Sequence, residues 1–370
     1  MTEDRALNMS LESPLLGQHE AAGAAIGEYF GTRLPARFGD FTAEYSGLRE
    51  AVGLLDTNFR AFFSFTGPDR LRYVNAILTS NVRDLTPGRG TVGLLLNAQG
   101  HILAEVETFA RDESLLASTH AMIRERTFAT LEKFIIMDDV TLEDLTPSTG
   151  TLGLAGPRAS ALLADLGVKN FAEMPLLSHQ RLTLGQIRCG VVRRELAGDP
   201  AATIVAGREH LQALWRELAE RVRLHGGAPG GMEALNSIRL ECGTPWFGSD
   251  YDDRQIPHEA GLEHSHISYE KGCYTGQEIV ERVRSRGHVN RRLTELRFFA
   301  DVAPASGTKL TLDGNETGIV TSTAFSPRIG QPIGLGYLRR EHSAIGTRMD
   351  AAGTPVEVIA PPLLAKKTSA

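Results

Sequence analysis

The feature that most constrains the fold is a change in the sequence pattern near residue 285. Before it, strand-like segments run through a Gly or Gly-Pro turn into an amphipathic helix. In RAFFSFTGPDRLRYVNAIL, Phe63 and Phe65 alternate, Pro68 suits a first helical position, and Leu71 begins an apolar helical face. After residue 285, short extended segments such as TKLTLDG and TPVEVIA are separated by Gly, Pro and Asp. The pattern predicts an α+β body followed by a small all-β barrel or sandwich.

The same strand–turn–helix theme recurs within the first part of the chain. GTLGLAGPRASALLADLG and ATIVAGREHLQALWRELAERV both read as a strand followed by a helix, and MIRERTFATLEKFI reads as a helix before the strand-like DDVTLEDL. Residues 1–40 lack a strong period and are interpreted as a peripheral lead-in. The length of 370 residues favours two or three domains.

Net charge and hydropathy limit the kinds of partner that we expect this protein to bind. The net charge is −6, which argues against nucleic-acid binding driven by overall charge, and we expect no direct nucleic-acid partner. No apolar run approaches the roughly 20 residues that a membrane-spanning helix needs, so no membrane association is expected. The start, MTEDRALNMSLESPLL, is acidic and lacks the features of a secretory or transit peptide. These features predict a cytoplasmic protein.

Cysteines and histidines give little sign of a metal site. Cys189, Cys242 and Cys273 are far apart and form no CxxC pair, which argues against a disulfide framework and a self-contained zinc site. In PHEAGLEHSH, two of the histidines stand two residues apart, but no third ligand has a recognisable spacing. We therefore predict no resident metal and interpret this stretch as a polar loop.

One cysteine has an unusual setting, in KGCYTGQEIVERVRSRGHVNRRL. Thr275 and Glu278 fit a capping box, which predicts a short helix with Cys273 just ahead of its N-terminus. Positive charge from the helix end and from Lys271 favours a thiolate at Cys273. The alternative is a structural cysteine that acts as a small buried hydrophobe, and this interpretation is preferred for Cys189 and Cys242.

This stretch resembles the K-G-C-[FYW]-x-G-Q-E-x-x-x-R signature of YgfZ-type folate-binding proteins, from Lys271 to Arg282. That branch belongs to the superfamily of the glycine-cleavage aminomethyltransferase, GcvT. TGPDRLRYVNAILTSNVRDL and NSIRLECGTPWFGSDYDD also look like parts of the superfamily core. The resemblance implies an α+β, three-domain cloverleaf around a central hole for tetrahydrofolate, with a C-terminal β-barrel. The divisions implied are 1–145, 146–285 and 286–370.

The resemblance also implies a set of folate-binding residues. Arg239 and Glu241 match the superfamily's SLRLEAG stretch, and Arg239 is the expected folate contact. The Y-T-G-E stretch, whose glutamate grips the pterin, is replaced by LAGD, so Asp199 stands in for the glutamate. An equally open interpretation is that Asp199 is a turn residue before Pro200.

The superfamily's aspartate pair is altered in this chain. In GHILAEV its positions are occupied by Ala104 and Glu105, and Val92 replaces a tyrosine of the preceding stretch. Glu105 keeps a carboxylate near the expected folate site. The loss of the pair is expected to weaken aminomethyl transfer.

The resemblance implies an accessory protein that binds tetrahydrofolate or a one-carbon derivative, in preference to an aminomethyltransferase. It would support assembly or repair of 4Fe–4S clusters in client enzymes, including tRNA-modifying ones, together with cluster-assembly proteins. Cys273 would be the reactive thiol, with Lys271, Gln277 and Glu278 fixing its loop. As a transient cluster ligand, Cys273 would share the cluster with a partner, since one cysteine cannot hold it alone.

Two other functions stay open from the sequence. The first alternative is a folate-dependent aminomethyltransferase or one-carbon transferase like the glycine-cleavage T-protein. The other is a folate-independent scaffold. A basic run follows the cysteine and is either a solvated face or an attractant for polyglutamate tails or an acidic partner; it comprises arginines 282, 284, 286, 291, 292 and 297.

Overall fold

The computed structural model describes residues 11–360, which form four sheets and eight α-helices. The strands are β1 (Leu11–Glu12), β2 (Ala25–Tyr29), β3 (Thr32–Arg37), β4 (Gly53–Asp56), β5 (Arg60–Thr66), β6 (Gly90–Leu96), β7 (Ile102–Ala110), β8 (Leu115–His120), β9 (Thr141–Asp144), β10 (Thr149–Ala155), β11 (His179–Leu184), β12 (Ile187–Leu196), β13 (Asp199–Gly207), β14 (Ala228–Pro229), β15 (Arg291–Phe298), β16 (Lys309–Leu312), β17 (Asn315–Ser326), β18 (Gln331–Arg339), β19 (Arg348–Ala351) and β20 (Thr354–Ile359). The helices are α1 (Leu16–Ala21), α2 (Phe41–Glu50), α3 (Arg70–Ile77), α4 (Arg124–Lys133), α5 (Ala159–Asp165), α6 (Leu211–Leu224), α7 (Met232–Glu241) and α8 (Gln277–Arg286).

Two large sheets build the body. One has the order β6-β7-β8-β5-β9, and the other has the order β11-β12-β13-β10-β4-β14. Helices α3 and α4 pack on the first sheet, and α5 and α6 pack on the second, each through apolar side chains of the predicted helical faces. The opposite faces of the two sheets meet, since Phe62 and Phe109 of the first pack with Val192 of the second. The predicted division at residue 145 stays a prediction; β4, which precedes it, lies in the second sheet.

The predicted C-terminal barrel is confirmed. Strands β15 to β20 close in the order β15-β18-β17-β16-β19-β20, with β15 paired to β20, around a core that includes Phe298 and Leu338. The β16–β17 turn uses Asp313 and Gly314, both with positive φ, as the Asp-Gly pair predicts. Residues 361–370, the end of the predicted third division, lie outside the described residues.

The interpretation of residues 1–40 as a peripheral lead-in is wrong for the described part. Strands β1, β2 and β3 form a small sheet, and Leu15 and Leu34 are fully buried. His19 lies 2.9 Å from Asp56, and both side chains are almost completely buried. Sequence periodicity missed this segment because its strands are short and its burial depends on residues farther along the chain, such as Asp56 beside His19 and Met232 beside Leu34. Residues 1–10, which include most of the acidic start, lie outside the described residues.

Among residues 11–360, no helix is both long enough and apolar enough to cross a membrane.

Candidate active site

A cavity of about 180 Å³ lies between the facing sheets of the body. Strand alternation creates it, because every second side chain of β5, β7, β8, β12 and β13 points away from the helices. Apolar rings and polar groups both line it: Phe59, Phe62 and Phe109, and also Arg60, Glu107, Ser118, Arg194 and Thr203. A wider groove of about 1240 Å³ shares Arg60 with this cavity. A lining of this mixed type is characteristic of small-molecule sites.

A charged network bridges the two sheets at the cavity. Arg194 on β12 binds both carboxylate oxygens of Glu107 on β7, one of them at 2.7 Å. Arg60 on β5 contacts Glu107 at 3.1 Å and donates to the Ser118 hydroxyl at 3.0 Å. Burial raises the pKa of Glu107, but Arg194 and Arg60 outweigh burial and hold that pKa below its usual value. Glu107 is therefore ionised at neutral pH.

Acidification tests the ionised state of Glu107. Because its folded-state pKa lies below the ordinary value of 4.5, its contribution to stability is complete above that value and is lost as the pH falls through the folded pKa. We expect the melting temperature of the wild type to exceed that of Glu107→Gln at neutral pH. The difference should shrink as the pH falls below about 4.5 and through the folded-state pKa. Scanning calorimetry measures both melting temperatures at each pH. A difference between the two proteins that stays constant with pH would contradict this account.

Glu105 is the second carboxylate on this face of β7. It accepts a hydrogen bond from the hydroxyl of Tyr251, and it lies 3.4 Å from Nε2 of His266 and 3.7 Å from Arg60. Burial raises the pKa of Glu105, but the His266 hydrogen bond and the charge of Arg60 act in the opposite direction, and the pKa is well below its usual value. Glu105 is an ionised carboxylate beside the cavity.

Ala104, the neighbour of Glu105, points the other way. Its side chain is fully buried in the core under α3 and α4. On a strand, adjacent residues face opposite sides, so only one member of an acidic pair at these positions faces the cavity. The absence of an acid at residue 104 therefore removes no carboxylate from the cavity face.

His120 completes the polar side of the site. Burial lowers its pKa to about 3, and the charge of Arg60 acts in the same direction, so the imidazole is neutral at neutral pH. Its ring stacks on Phe247 at a centroid distance of 5.1 Å. Its Nδ1 is buried and has no hydrogen-bond partner among residues 11–360.

The structure places Arg239 and Glu241 away from this network, on α7. The side chain of Arg239 is 3% exposed; it pairs with Asp250 and donates to the carbonyl of Thr244 at 3.0 Å. Glu241 accepts hydrogen bonds from Tyr45 and from Ser326 of the barrel. These contacts join α7 to its neighbours. Folate contact by Arg239 or Glu241 stays a prediction that this geometry does not favour.

Asp199 begins β13 and is also buried. Its carboxylate accepts a hydrogen bond from Arg49 at 3.3 Å. It pairs in register with Leu196 across the β12–β13 turn, where Ala197 and Gly198 have positive φ. This placement agrees with the turn interpretation, and contact with a pterin stays a prediction for Asp199.

The Cys273 loop is fixed by its neighbours. The ammonium of Lys271 donates to the carbonyls of Asn75, Leu78 and Ser80, where α3 ends. Burial lowers the pKa of Lys271 to about 8, whereas the three acceptors favour its protonated form. Cys273 itself is exposed, and burial raises the pKa of the Cys189 and Cys242 thiols to about 11.

The predicted helix after Cys273 is confirmed, but its predicted cap is wrong. Helix α8 begins at Gln277 and is preceded by Gly276 as N-cap, with no side-chain capping bond from Thr275 or elsewhere. Gly276 has φ of +83°, and a Cβ there would meet the carbonyl oxygen of Asn97 at 2.6 Å. The close approach to the β6–β7 turn, which leads into the strand of Glu105, therefore sets this cap. Gln277 is half-buried in the first turn of α8, and Glu278 is exposed.

Loss of the Lys271 ammonium should loosen this loop. Lys271→Met leaves three carbonyls at the end of α3 without their donor, and we expect amide hydrogen exchange in residues 270–276 to become roughly tenfold faster. Lys309→Met, which removes an exposed lysine paired with Glu316, is the matched control and should leave this loop unchanged. Unchanged exchange in Lys271→Met would show that the loop is held by other contacts.

The three histidines of PHEAGLEHSH diverge. His266 faces Glu105, His258 contacts the hydroxyl of Tyr269 at 3.2 Å, and His264 is largely exposed. Within residues 11–360 no group of three or more His, Cys, Asp or Glu side chains has the arrangement of a metal site.

The sequence and fold of this chain are similar to those of known proteins. The profile of the GCVT N-terminal domain matches residues 15–268. That match covers more than half of the chain. The chain belongs to the glycine cleavage T-protein family. A second profile, for the glycine cleavage T-protein C-terminal barrel domain, matches residues 291–364.

Relatives in the glycine cleavage T-protein family extend over nearly the whole chain. An aminomethyltransferase of Saccharopolyspora erythraea is 28% identical over 357 residues, covering 95% of this chain and 97% of the relative. An aminomethyltransferase of Synechocystis is 25% identical and covers 92% of each chain. The crystal structure of glycine cleavage system aminomethyltransferase T from Bartonella henselae superimposes with a TM-score of 0.85 at 23% identity, covering 96% of this chain and 99% of that one. The predicted α+β fold of the aminomethyltransferase type, with a C-terminal β-barrel, is confirmed.

These relatives contradict the predicted function. Because the similar proteins are named aminomethyltransferases and the matching structure is a glycine cleavage aminomethyltransferase, the prediction of an iron–sulfur accessory protein is wrong. The predicted roles in cluster assembly and tRNA modification are wrong for the same reason, and the relatives do not support iron–sulfur client partners. A cluster-ligand role for Cys273 stays an untested prediction.

Sequence reasoning identified Glu105 but missed most of the charged and polar network around Glu105 and Glu107. The missed residues are Arg60, Glu107, His120, Arg194, Tyr251 and His266. One signal was available in the sequence. In ILAEVETFA, Glu105 and Glu107 alternate with apolar residues and share one strand face. Their partners lie on other strands and loops, and a local pattern does not show such long-range pairing.

Proposed function

We propose that this protein is a tetrahydrofolate-dependent one-carbon transferase of the aminomethyltransferase type. Membership of the glycine cleavage T-protein family over nearly the whole chain supports this proposal. The observation that carries it is the ionised carboxylate of Glu105, placed beside a cavity between the two sheets. The branch indicated by KGCYTGQE stays a prediction, as does a reactive role for Cys273, with Lys271, Gln277 and Glu278 positioning its loop.

The cavity has the chemistry that a reduced folate requires. A pterin is a flat ring with several N–H donors and ring acceptors, and such rings pack against aromatic side chains. Phe59, Phe62 and Phe109 supply apolar surface. Thr57, which lines the cavity, supplies a buried Oγ1 that has no hydrogen-bond partner among residues 11–360. The adjoining groove provides room for the rest of the molecule, and four arginines line it: Arg60, Arg124, Arg126 and Arg208.

The reaction of this class moves one carbon from an aminomethylated thiol carrier to the two folate nitrogens. The carbon–sulfur and carbon–amine bonds break, the carrier leaves as a free thiol, ammonia is released, and methylene-tetrahydrofolate forms. Two protons leave the folate nitrogens, one for the thiol and one for ammonia. We assign to Glu105 the task of accepting a proton from a folate nitrogen, while Tyr251 and His266 hold its carboxylate in place.

The direct test is production of methylene-tetrahydrofolate from tetrahydrofolate and an aminomethylated lipoyl carrier protein. A coupled methylene-tetrahydrofolate dehydrogenase reports the product as NADPH absorbance. We expect a rate proportional to the concentration of this protein. No product above the protein-free background, under conditions in which an authentic aminomethyltransferase turns over, would overturn the proposal.

A further inference from the structure

A separate cavity of about 280 Å³ lies between the 258–269 segment, α8 and the barrel. Three arginines from different elements line it: Arg284 on α8, Arg292 on β15 and Arg340 just after β18. It shares no lining residue with the cavity or the groove near Glu105. This surface is therefore distinct from the proposed folate site.

The arginines of this cavity are poorly neutralised. Arg292 and Arg340 form no ion pair within 4 Å among residues 11–360, and Arg284 lies 3.6 Å from Glu281. Their neighbours in the basic run differ, because Arg291 pairs with Glu259 at 2.9 Å and Arg297 pairs with Glu357 at 2.6 Å. Within the run, Arg291 and Arg297 thus have close carboxylate partners, whereas Arg284 and Arg292 face the cavity. Converging guanidinium groups of the second kind favour an anion.

Other groups in the cavity restrict the shape and chemistry of a ligand. The guanidinium of Arg284 lies 4.1 Å above the ring of Tyr269, which fixes its orientation. Nδ1 of His258 and Oε2 of Glu263 line the same space, and both are buried without a hydrogen-bond partner among residues 11–360. A ligand that carries an anionic group together with O–H or N–H donors satisfies all of these groups.

We propose that this cavity binds a small phosphate monoester. A carboxylate has two oxygens, which a single arginine fork satisfies, whereas a phosphate monoester offers three terminal oxygens and a charge of about −1.5 to −2. Arg284 lies 3.6 Å from Glu281, so Arg292 and Arg340, which form no ion pair among residues 11–360, supply most of the positive charge that such a group meets. The hydroxyl or amine groups of the esterified portion face Glu263 and His258. This proposal does not depend on the reaction assigned to Glu105.

Titration calorimetry of the full chain with inorganic phosphate at low ionic strength tests the anion subsite. We expect saturable binding at one site, weakened about tenfold or more in the double variant Arg292→Ala/Arg340→Ala. The matched control, Arg339→Ala/Arg348→Ala, removes the same charge from exposed arginines of the barrel that do not line the cavity. It should change the affinity by less than about twofold.

Several outcomes would overturn the proposal. They are the absence of saturable binding to the wild type, equal weakening in both double variants, and tighter binding of succinate than of phosphate, which would assign a dicarboxylate instead. If the alanine variant does not fold, Arg292→Lys/Arg340→Lys replaces it. That variant keeps the positive charges but loses the planar guanidinium groups. We expect its affinity for phosphate to be at least about threefold lower than that of the wild type. Wild-type affinity in a folded lysine variant would contradict recognition by these guanidinium groups.

Discussion

Glu105→Gln is expected to lower the rate of methylene-tetrahydrofolate formation roughly a hundredfold to ten-thousandfold. Glutamine keeps the size of the side chain and can still accept the hydrogen bond of Tyr251. It loses the negative charge and the basic oxygens that would take a proton from the folate. Because the change is nearly isosteric, we expect the melting temperature to change little compared with the loss of rate.

Two measurements separate this effect from misfolding and from lost binding. Glu143→Gln replaces an exposed glutamate on β9 and should retain the full rate. Tetrahydrofolate affinity of Glu105→Gln should stay within about threefold of the wild type, since the carboxylate acts mainly on the reacting proton. If Glu105→Gln keeps most of its rate, another group performs the proton transfer and the role assigned to Glu105 is wrong.

Arg239→Ala is expected to destabilise the fold by about 3–5 kcal/mol. The substitution leaves Asp250 buried without its cation, since the Asp250 side chain has no exposed surface. It also removes the contact of the guanidinium with the ring of Trp246 at 4.5 Å. Asp250 accepts hydrogen bonds from the Trp246 amide and from Thr321 of the barrel, so we expect the loss of protection to reach both α7 and β17. Denaturant-dependent hydrogen exchange measures this loss of amide protection.

An exposed arginine serves as the control for Arg239. Arg33→Ala breaks pairs with Glu12 and Glu20 that are largely exposed and should cost less than about 1 kcal/mol. If Arg239→Ala is as stable as the wild type but binds tetrahydrofolate more weakly, Arg239 is a folate contact, as the sequence motif predicted. If Arg239→Ala and Asp250→Ala are both strongly destabilised, and to a similar extent, Arg239 instead has a structural role where α7 meets the barrel.

The parts of the fold that the sequence predicts are those governed by local pattern. Helices α3, α5 and α6 follow strands at the places that their apolar faces indicate, because a helix of the body must bury one face. The barrel was predictable from short extended segments and the Asp313-Gly314 turn. Strand β19 was not identified, since its four residues carry too little pattern to distinguish them from a loop.

Long-range packing explains where sequence reasoning failed. Thr275 and Glu278 fit a capping box, but the contact of Gly276 with Asn97, far away in the chain, decides the cap. The SLRLEAG-like motif marks Arg239 as a folate contact, which stays a prediction, but the motif does not show the buried pair of Arg239 with Asp250. Glu105 was identified as a candidate by resemblance. Its surroundings depend on how separate strands and loops meet, which the sequence does not display.

The most direct measurement of the central claim is calorimetric titration of tetrahydrofolate into the wild type and Val205→Trp. Val205 lines the cavity between the sheets and is only partly buried, so an indole there fills the proposed pterin site. Val302→Trp, on a side chain that is 79% exposed, is the control. We predict one folate site, weakened at least about tenfold by Val205→Trp and unchanged by Val302→Trp. No folate binding to the wild type, or equal binding to all three proteins, would contradict the assignment of this cavity.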